Sequence, residues 1–335
     1  MSSFSFYLRL PHNSLQILIS LLIFSICSSV KFEKQALIID TDAGADDAMA
    51  IMMILSDSRR FKVEAITCVQ GNTGVHNVSK NVLETLDVMK RLDIPVYVGS
   101  NTGLVYSAKS DNYFGMDGFG DFIYDNPPDI HLLKEQHAAV ELAERVKQKP
   151  GTISVICIGP LTNIALASLI NPKFFEQVKM IMILGGSYKG EGNIGPGIEF
   201  NMYADPEAAE SFFTRLPAST PTILLPYETV KEDGSFSISW RRNVLGRLES
   251  DKMKFLNLAE RKSLAKVSQW LCFDPSLSSL LINPNIVDSY MIGQPVVDTN
   301  TKRGFMNILT DRGSVKVITG LDNQRLEKTL YFYLK

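Results

Sequence analysis

Asp40-Thr41-Asp42-Ala43-Gly44-Ala45-Asp46-Asp47-Ala48 is the stretch on which the reading of this chain turns. It follows the apolar run Ala36-Leu37-Ile38-Ile39 and precedes Met49-Ala50-Ile51-Met52-Met53-Ile54-Leu55. The first run predicts a buried strand and the second a helix apolar nearly all round. Four carboxylates therefore crowd one strand-to-helix turn, the place where open α/β sheets put their ligands. Gly44 lets the turn bend tightly, and the start of the helix favours the charge of Asp46 and Asp47. A single Asp here would read as a helix cap. Four raise one another's pKa unless a cation sits among them, so they read as a site. Oxygen ligands at this density suit Ca²⁺ or Mg²⁺ better than zinc.

Outward from this turn, the chain alternates strands and helices. Lys62–Val69 predicts a second strand ending at Gln70-Gly71-Asn72, followed by a helix from about Asn77 to Leu92 and a short strand Val96-Tyr97-Val98. Ile153–Ile158, Met180–Leu184 and Pro221–Pro226 read as further strands. The pattern predicts an α/β fold with an open, mostly parallel, Rossmann-like sheet and helices on both faces. Loops at the carboxyl ends of its strands then carry the chemistry. Residues 250–272 read as helix. At the C-terminal end, Ser314–Ile318 and Thr329–Tyr333 around Asp322-Asn323 predict a small antiparallel addition.

The 335 residues are 45% hydrophobic and 21% charged, with a formal net charge of −2. This is globular composition with no basic footprint for nucleic acid. Residues 1–29 differ: Arg9 precedes the apolar Leu15–Ile26, and Cys27-Ser28-Ser29 follows. That order reads as a secretory signal peptide cleaved near Ser28 or Ser29. It predicts a secreted protein, free of the membrane after cleavage, whose residues 30–335 form a single domain. Cys68, Cys157 and Cys272 remain; their apolar contexts and odd number read as free buried thiols. Asn77-Val78-Ser79 is a glycosylation sequon if exposed.

Three further segments carry polar side chains where the alternation places loops. Residues 107–130 lack periodicity and hold Asn112-Tyr113-Phe114-Gly115-Met116-Asp117-Gly118-Phe119-Gly120-Asp121. Long ordered loops of this kind are commonly functional. Gly159-Pro160-Leu161-Thr162-Asn163 closes a strand, with Thr162 or Asn163 available to cap the next helix. Gly192-Asn193 is followed by Glu199-Phe200-Asn201, in which Glu199 and Asn201 fall in phase on an extended segment and can share one side. Asp205-Pro206 opens a helix by capping alone, and Phe273-Asp274-Pro275 admits the same bland account for Asp274.

Taken together, these segments resemble the nucleoside hydrolases, the inosine–uridine-preferring N-ribohydrolases. The acidic turn is similar to their Asp-x-Asp-x-Gly-x-Asp-Asp-Ala signature, and the aromatic loop to their His-Gly-x-Asp-Gly-x-Gly segment, with Phe114 in place of His. Gly-Pro-Leu-Thr-Asn, Gly-Asn…Glu-Phe-Asn…Asp-Pro-Glu-Ala and an Asp preceded here by Phe273 rather than His follow in the same order. The resemblance implies Ca²⁺-dependent hydrolysis of the N-glycosidic bond of a ribonucleoside. It implies metal ligation by Asp42, Asp47, the main-chain carbonyl of Ile158 and Asp274. Asp42 is the implied general base, with Asp46 orienting water or ribose and Asp40 behind them. Asn193, Glu199 and Asn201 are implied to hold ribose hydroxyls, with Asn72 on a neighbouring loop. Phe114, Phe273 and Trp270 offer stacking surfaces for the base rather than acids. A homo-oligomer, dimer or tetramer, is also implied. Two other readings compete. A secreted nucleoside-binding protein would have kept the fold and lost catalysis, but then has no reason to keep the acidic cluster. A haloacid-dehalogenase-like phosphatase would use Asp40 and Asp42 alone, but carries Thr or Val where Gly44 stands.

Overall fold

The computed structural model describes residues 33–335; the predicted signal segment lies outside them. Nine strands form one sheet: β1 (Gln35–Thr41), β2 (Phe61–Cys68), β3 (Val96–Val98), β4 (Ile153–Cys157), β5 (Met180–Leu184), β6 (Thr222–Leu225), then β9 (Val287–Val297), β10 (Met306–Leu309) and β11 (Val315–Leu321). Their spatial order is β10-β9-β11-β6-β5-β4-β1-β2-β3. From β6 to β3, and between β11 and β6, neighbours run parallel. β9 pairs antiparallel with both β10 and β11, so the antiparallel addition is one edge of the main sheet. A separate pair, β7 (Ser235–Ser237) and β8 (Gln269–Leu271), is also antiparallel.

The chain leaves β1 through β2 and β3 on one side, then returns to β4 on the other. That reversal makes the carboxyl ends of β1 and β4 the switch point of the sheet, where a crevice opens. β1 is buried from Leu37 onward and alternates its side chains between two cores: Leu37 and Ile39 face one, Ile38 the other. Helices α1 (Ala45–Ser56), α2 (Val75–Val88), α6 (Phe273–Ile282) and α7 (Asn323–Leu334) cover the first face. α3 (Ala138–Gln148), α4 (Thr162–Ile170) and α5 (Pro206–Arg215) cover the second. α1 is buried from Ala48 to Leu55, as its unbroken apolar run requires.

Two expectations fail. Thr329–Tyr333 belongs to helix α7, whose Leu326, Leu330 and Leu334 recur at helical spacing and are buried. Asp322 caps it, accepting from the Arg325 N–H at 3.0 Å. Residues 250–272 are not one helix: Asp251–Ala259 and Arg261–Leu264 are helical and β8 follows. The Trp270 ring is drawn there into a cluster with Phe236 and Trp240. Cys68, Cys157 and Cys272 are free and buried, as read.

Candidate active site

The acidic turn forms as its composition demands. Gly44 precedes α1, and its N–H donates to Asp47 Oδ2 at 2.9 Å, so Asp47 rather than Asp46 closes the first turn. Asp47 Oδ1 accepts from the Thr41 hydroxyl and Oδ2 also from Asn72 Nδ2 at 3.2 Å. Asp42 Oδ2 accepts from the Asn72 N–H at 2.8 Å, while Asp42 Oδ1 is buried without a partner. Asn72 thus ties two of the acids together. Glycines permit this crowding: a Cβ at Gly71 would fall 2.0 Å from Asp42 Oδ2, and one at Gly159 would fall 3.0 Å from Asp42 Oδ1.

Asp274 reaches the same point from the first turn of α6, where it caps nothing. Asp46, Asp47 and Asp274 offer carboxylate oxygens that all lie within 4.8 Å of one another. Burial first, and then the neighbouring carboxylates, push Asp42, Asp46 and Asp274 well above the usual carboxylate range. Asp47, better supplied with donors, is raised by burial to about 6. Asp40 points away from the cluster into the sheet, where burial raises it to about 7. Its Oδ1 accepts from Thr67 and, at 2.9 Å, from Asn163 Nδ2. Asn163 also donates to the Cys68 carbonyl and accepts from the Ser100 N–H. It therefore ties the carboxyl ends of β1 and β2 to the loop after β3 instead of capping α4, and Thr162 donates to Asp205.

A cavity of about 280 Å³ opens above the acids. Asp42, Asp46, Asn72, Ile158 and Asp274 supply its acidic floor, Asn193, Glu199 and Asn201 add further polar lining, and Phe114 and Phe273 supply an aromatic wall. Of the residues given a role at the metal, water, sugar or base above, all but Asp40, Asp47 and Trp270 line it, and Asp47 lies beside Asp46 and Asp274. Among the described residues, none that lines it is basic. Glu199 and Asn201 do not alternate on an extended segment. Glu199 caps the short helix Phe200–Ala204, accepting from the Asn201 and Met202 N–H groups and, at 2.8 Å, from Gly186. Burial still raises its carboxyl to about 7.

The aromatic wall departs from expectation. Trp270 does not reach the cavity; its Nε1 donates to Glu260 at 2.7 Å behind the wall. Tyr227 and Tyr113 stand in the cavity instead. Tyr227 stacks on Phe273 with centroids 5.6 Å apart, and Tyr113 meets Phe114 edge-on at 4.8 Å. Sequence reasoning passed over Tyr227, although Pro226-Tyr227 at the carboxyl end of β6 is the position where a parallel sheet exposes ligand contacts. Glu228 beside it is fully buried and accepts from Ser187, Tyr188, Lys189 and Glu191, fixing the loop that leads to Asn193. Asn77 of the sequon is half-buried on α2, and its amide nitrogen donates to Thr73.

Comparison with known proteins agrees with this geometry. Residues 37–328 match the model of the family described as inosine-uridine preferring nucleoside hydrolase. The chain is 38% identical over 185 residues to probable uridine nucleosidase 2 of Arabidopsis thaliana, covering 54% of this chain and 56% of that protein. It is 34% identical over 185 residues to the pyrimidine-specific ribonucleoside hydrolase RihB of Escherichia coli (strain SE11), covering 54% and 57%. The chain thus spans just over half the length of these curated relatives. Among solved structures, a plant nucleoside hydrolase, the PpNRh1 enzyme, superposes with a TM-score of 0.82 at 28% identity, over 90% of this chain and 99% of that one. An inosine-guanosine nucleoside hydrolase superposes with a TM-score of 0.81 at 26% identity, over 89% and 98%.

Proposed function

The chain belongs to the inosine-uridine preferring nucleoside hydrolase family, and on that premise we propose that it hydrolyses the N-glycosidic bond of ribonucleosides, giving free base and ribose. One observation carries the proposal. Asp42, Asp46 and Asp274 converge with Asn193, Glu199 and Asn201 on a single cavity that the rings of Phe114, Phe273 and Tyr227 also line. Amides and a carboxylate match the donors and acceptors of a sugar, and apolar rings match the faces of a base.

The unpartnered Asp42 Oδ1 and the mutual crowding of Asp46, Asp47 and Asp274 fit a hard divalent cation. Asp42, Asp47, the Ile158 carbonyl and Asp274 would hold Ca²⁺. When bound, that ion lowers the pKa of water and offers a positive centre to ribose hydroxyls. Asp42 takes the proton lost by the water that attacks the anomeric carbon. Asp46 orients the water or the ribose, and Asn193, Glu199 and Asn201 fix the sugar. As the carbon–nitrogen bond breaks, its electron pair leaves with the base and the ribose gains oxocarbenium character, which the surrounding carboxylates stabilise. Phe114 and Phe273 cannot supply a proton, so the base departs as a stabilised anion or is protonated from outside those two positions. We further propose that residues 1–29 direct secretion and are removed, placing the activity outside the cell.

The test is ribose release from inosine, adenosine, uridine and cytidine, with and without a Ca²⁺ chelator, beside an Asp42→Ala control. Release that requires both the ion and Asp42 supports the reaction class and names the base preference. Tight nucleoside binding without release from any of the four replaces the enzyme with a binding protein.

A further inference from the structure

The acidic turn and the aromatic loop both line the cavity, and one buried side chain holds both. Asn81, on α2 and 3% exposed, donates its Nδ2 to the Ala43 carbonyl at 2.9 Å and to the Asp117 carbonyl at 2.8 Å. Ala43 lies between Asp42 and the Asp46-Asp47 pair and has a φ of +21°, at the edge of the left-handed region that a residue with a side chain avoids. Asp117 lies in the loop that presents Tyr113 and Phe114 to the cavity. An amide nitrogen is planar, so its two hydrogens fix the relative direction of both carbonyls as well as their distance.

Gly118 gives an independent sign that the loop is fitted to this bridge. Its φ is +83°, and a Cβ there would lie 3.2 Å from Asn81 Nδ2 and 3.4 Å from the Ala43 carbonyl oxygen. The loop closes over Asn81 so tightly that a side chain at Gly118 would crowd Asn81 and Thr73, on a backbone that already favours glycine. Thr73 adds a parallel strap, its hydroxyl donating to the Met116 carbonyl at 3.0 Å.

We propose that Asn81 is a positioning residue that joins the cation-binding turn and the base-contacting loop into one unit, so that order at one end is transmitted to the other. The proposal rests on the nucleosidase reading given above. Asn81 touches neither the cavity nor an acid side chain. A purely structural Asn would lower stability on replacement and leave both ends otherwise independent. A coupling Asn changes metal affinity and base discrimination together, because a donor shared by two carbonyls is lost from both at once.

The experiment compares wild type, Asn81→Ala, Asn81→Asp and Leu86→Ala, the last removing buried core volume from the same helix without removing the shared donor. Ca²⁺ affinity is measured by calorimetry, loop protection by hydrogen exchange over residues 110–121 with and without Ca²⁺, and kcat and KM on the four nucleosides. The expected result is that Ca²⁺ protects the loop in wild type and in Leu86→Ala but not in either Asn81 variant. Ca²⁺ affinity falls roughly 10-fold or more in those variants, and the ratio of kcat/KM between bases shifts. Asn81 variants that match Leu86→Ala in all three readouts overturn the proposal while the nucleosidase stands. A wild type that neither binds Ca²⁺ nor releases ribose overturns the functional reading, and the coupling with it.

Discussion

Tyr227 and Phe273 stack with their ring planes 21° apart, one at the end of the sheet and the other at the start of α6. The pair forms part of the wall against which a base would lie. Aromatic pairs contribute about 0.5–1.5 kcal/mol beyond their burial. Phe273→Ala is therefore expected to raise KM by roughly 2- to 10-fold, with a smaller change in kcat, in steady-state assays on the four nucleosides. Phe273→His keeps a ring and adds a titratable nitrogen, and is expected to change the ranking of kcat among bases. An unchanged ranking removes any role for position 273 in leaving-group activation.

Asp42 and stability are expected to trade against each other. A lost general base lowers kcat by about 10²- to 10⁴-fold. Asp42→Asn also removes a buried carboxylate that raises Asp274 and is itself raised by Asp47 and Asp46. The chelated variant should therefore melt at a higher temperature than the chelated wild type, while losing activity. A lower melting temperature would count against repulsion as the dominant force in the turn.

The pH dependence follows from the same groups. Asp42, Asp46 and Asp274 are raised well above 3.8, Asp47 to about 6 and Asp40 to about 7, burial leading in each case. An acid whose folded pKa is raised favours folding while it is protonated. Its contribution is complete below 3.8 and is lost as pH rises through 6 to 7 and beyond. Chelated protein should thus be more stable near pH 5 than near pH 8. Added Ca²⁺, which needs the ionised acids, should raise the melting temperature more at pH 8 than at pH 5. Equal Ca²⁺ shifts at both values would argue that the acids do not bind the ion.

Behind the aromatic wall, Arg241 and Glu260 form a fully buried ion pair, 0% and 1% exposed, completed by Trp270 Nε1 on the second carboxylate oxygen. Breaking such a pair from one side leaves a charge without a partner, at about 3–5 kcal/mol. Arg241→Met should cost that much by urea titration. The double variant Arg241→Met, Glu260→Met should recover most of the loss.

The sequence made the site's floor more legible than its walls. The acidic turn could be read because four carboxylates confined between two buried apolar runs must gather at one point, and β1 and α1 form where those runs lie. Asp274 and Ile158 came from resemblance alone; nothing in their local sequence separates them from a helix cap and a buried strand end. Tyr227 and the retreat of Trp270 were hidden because a wall is assembled from residues far apart in the chain, and periodicity says nothing about which aromatic faces a cavity. Thr329–Tyr333 misled for a related reason: a β-prone run of aromatic and β-branched residues gave way to burial of Leu326, Leu330 and Leu334 against the core.

β1 has a strand on each side, β2 and β4, and both its faces are covered by helices. Such a strand cannot fray locally; its amides open only when the whole sheet comes apart. The repulsion gathered at its carboxyl end is therefore borne by the least yielding part of the molecule. It bears on how long the entire protein survives as well as on the loop that Asn81 ties to the turn. Withdrawal of the neutralising ion would act as a timer on the molecule's lifetime, with activity and persistence governed by the same few oxygens.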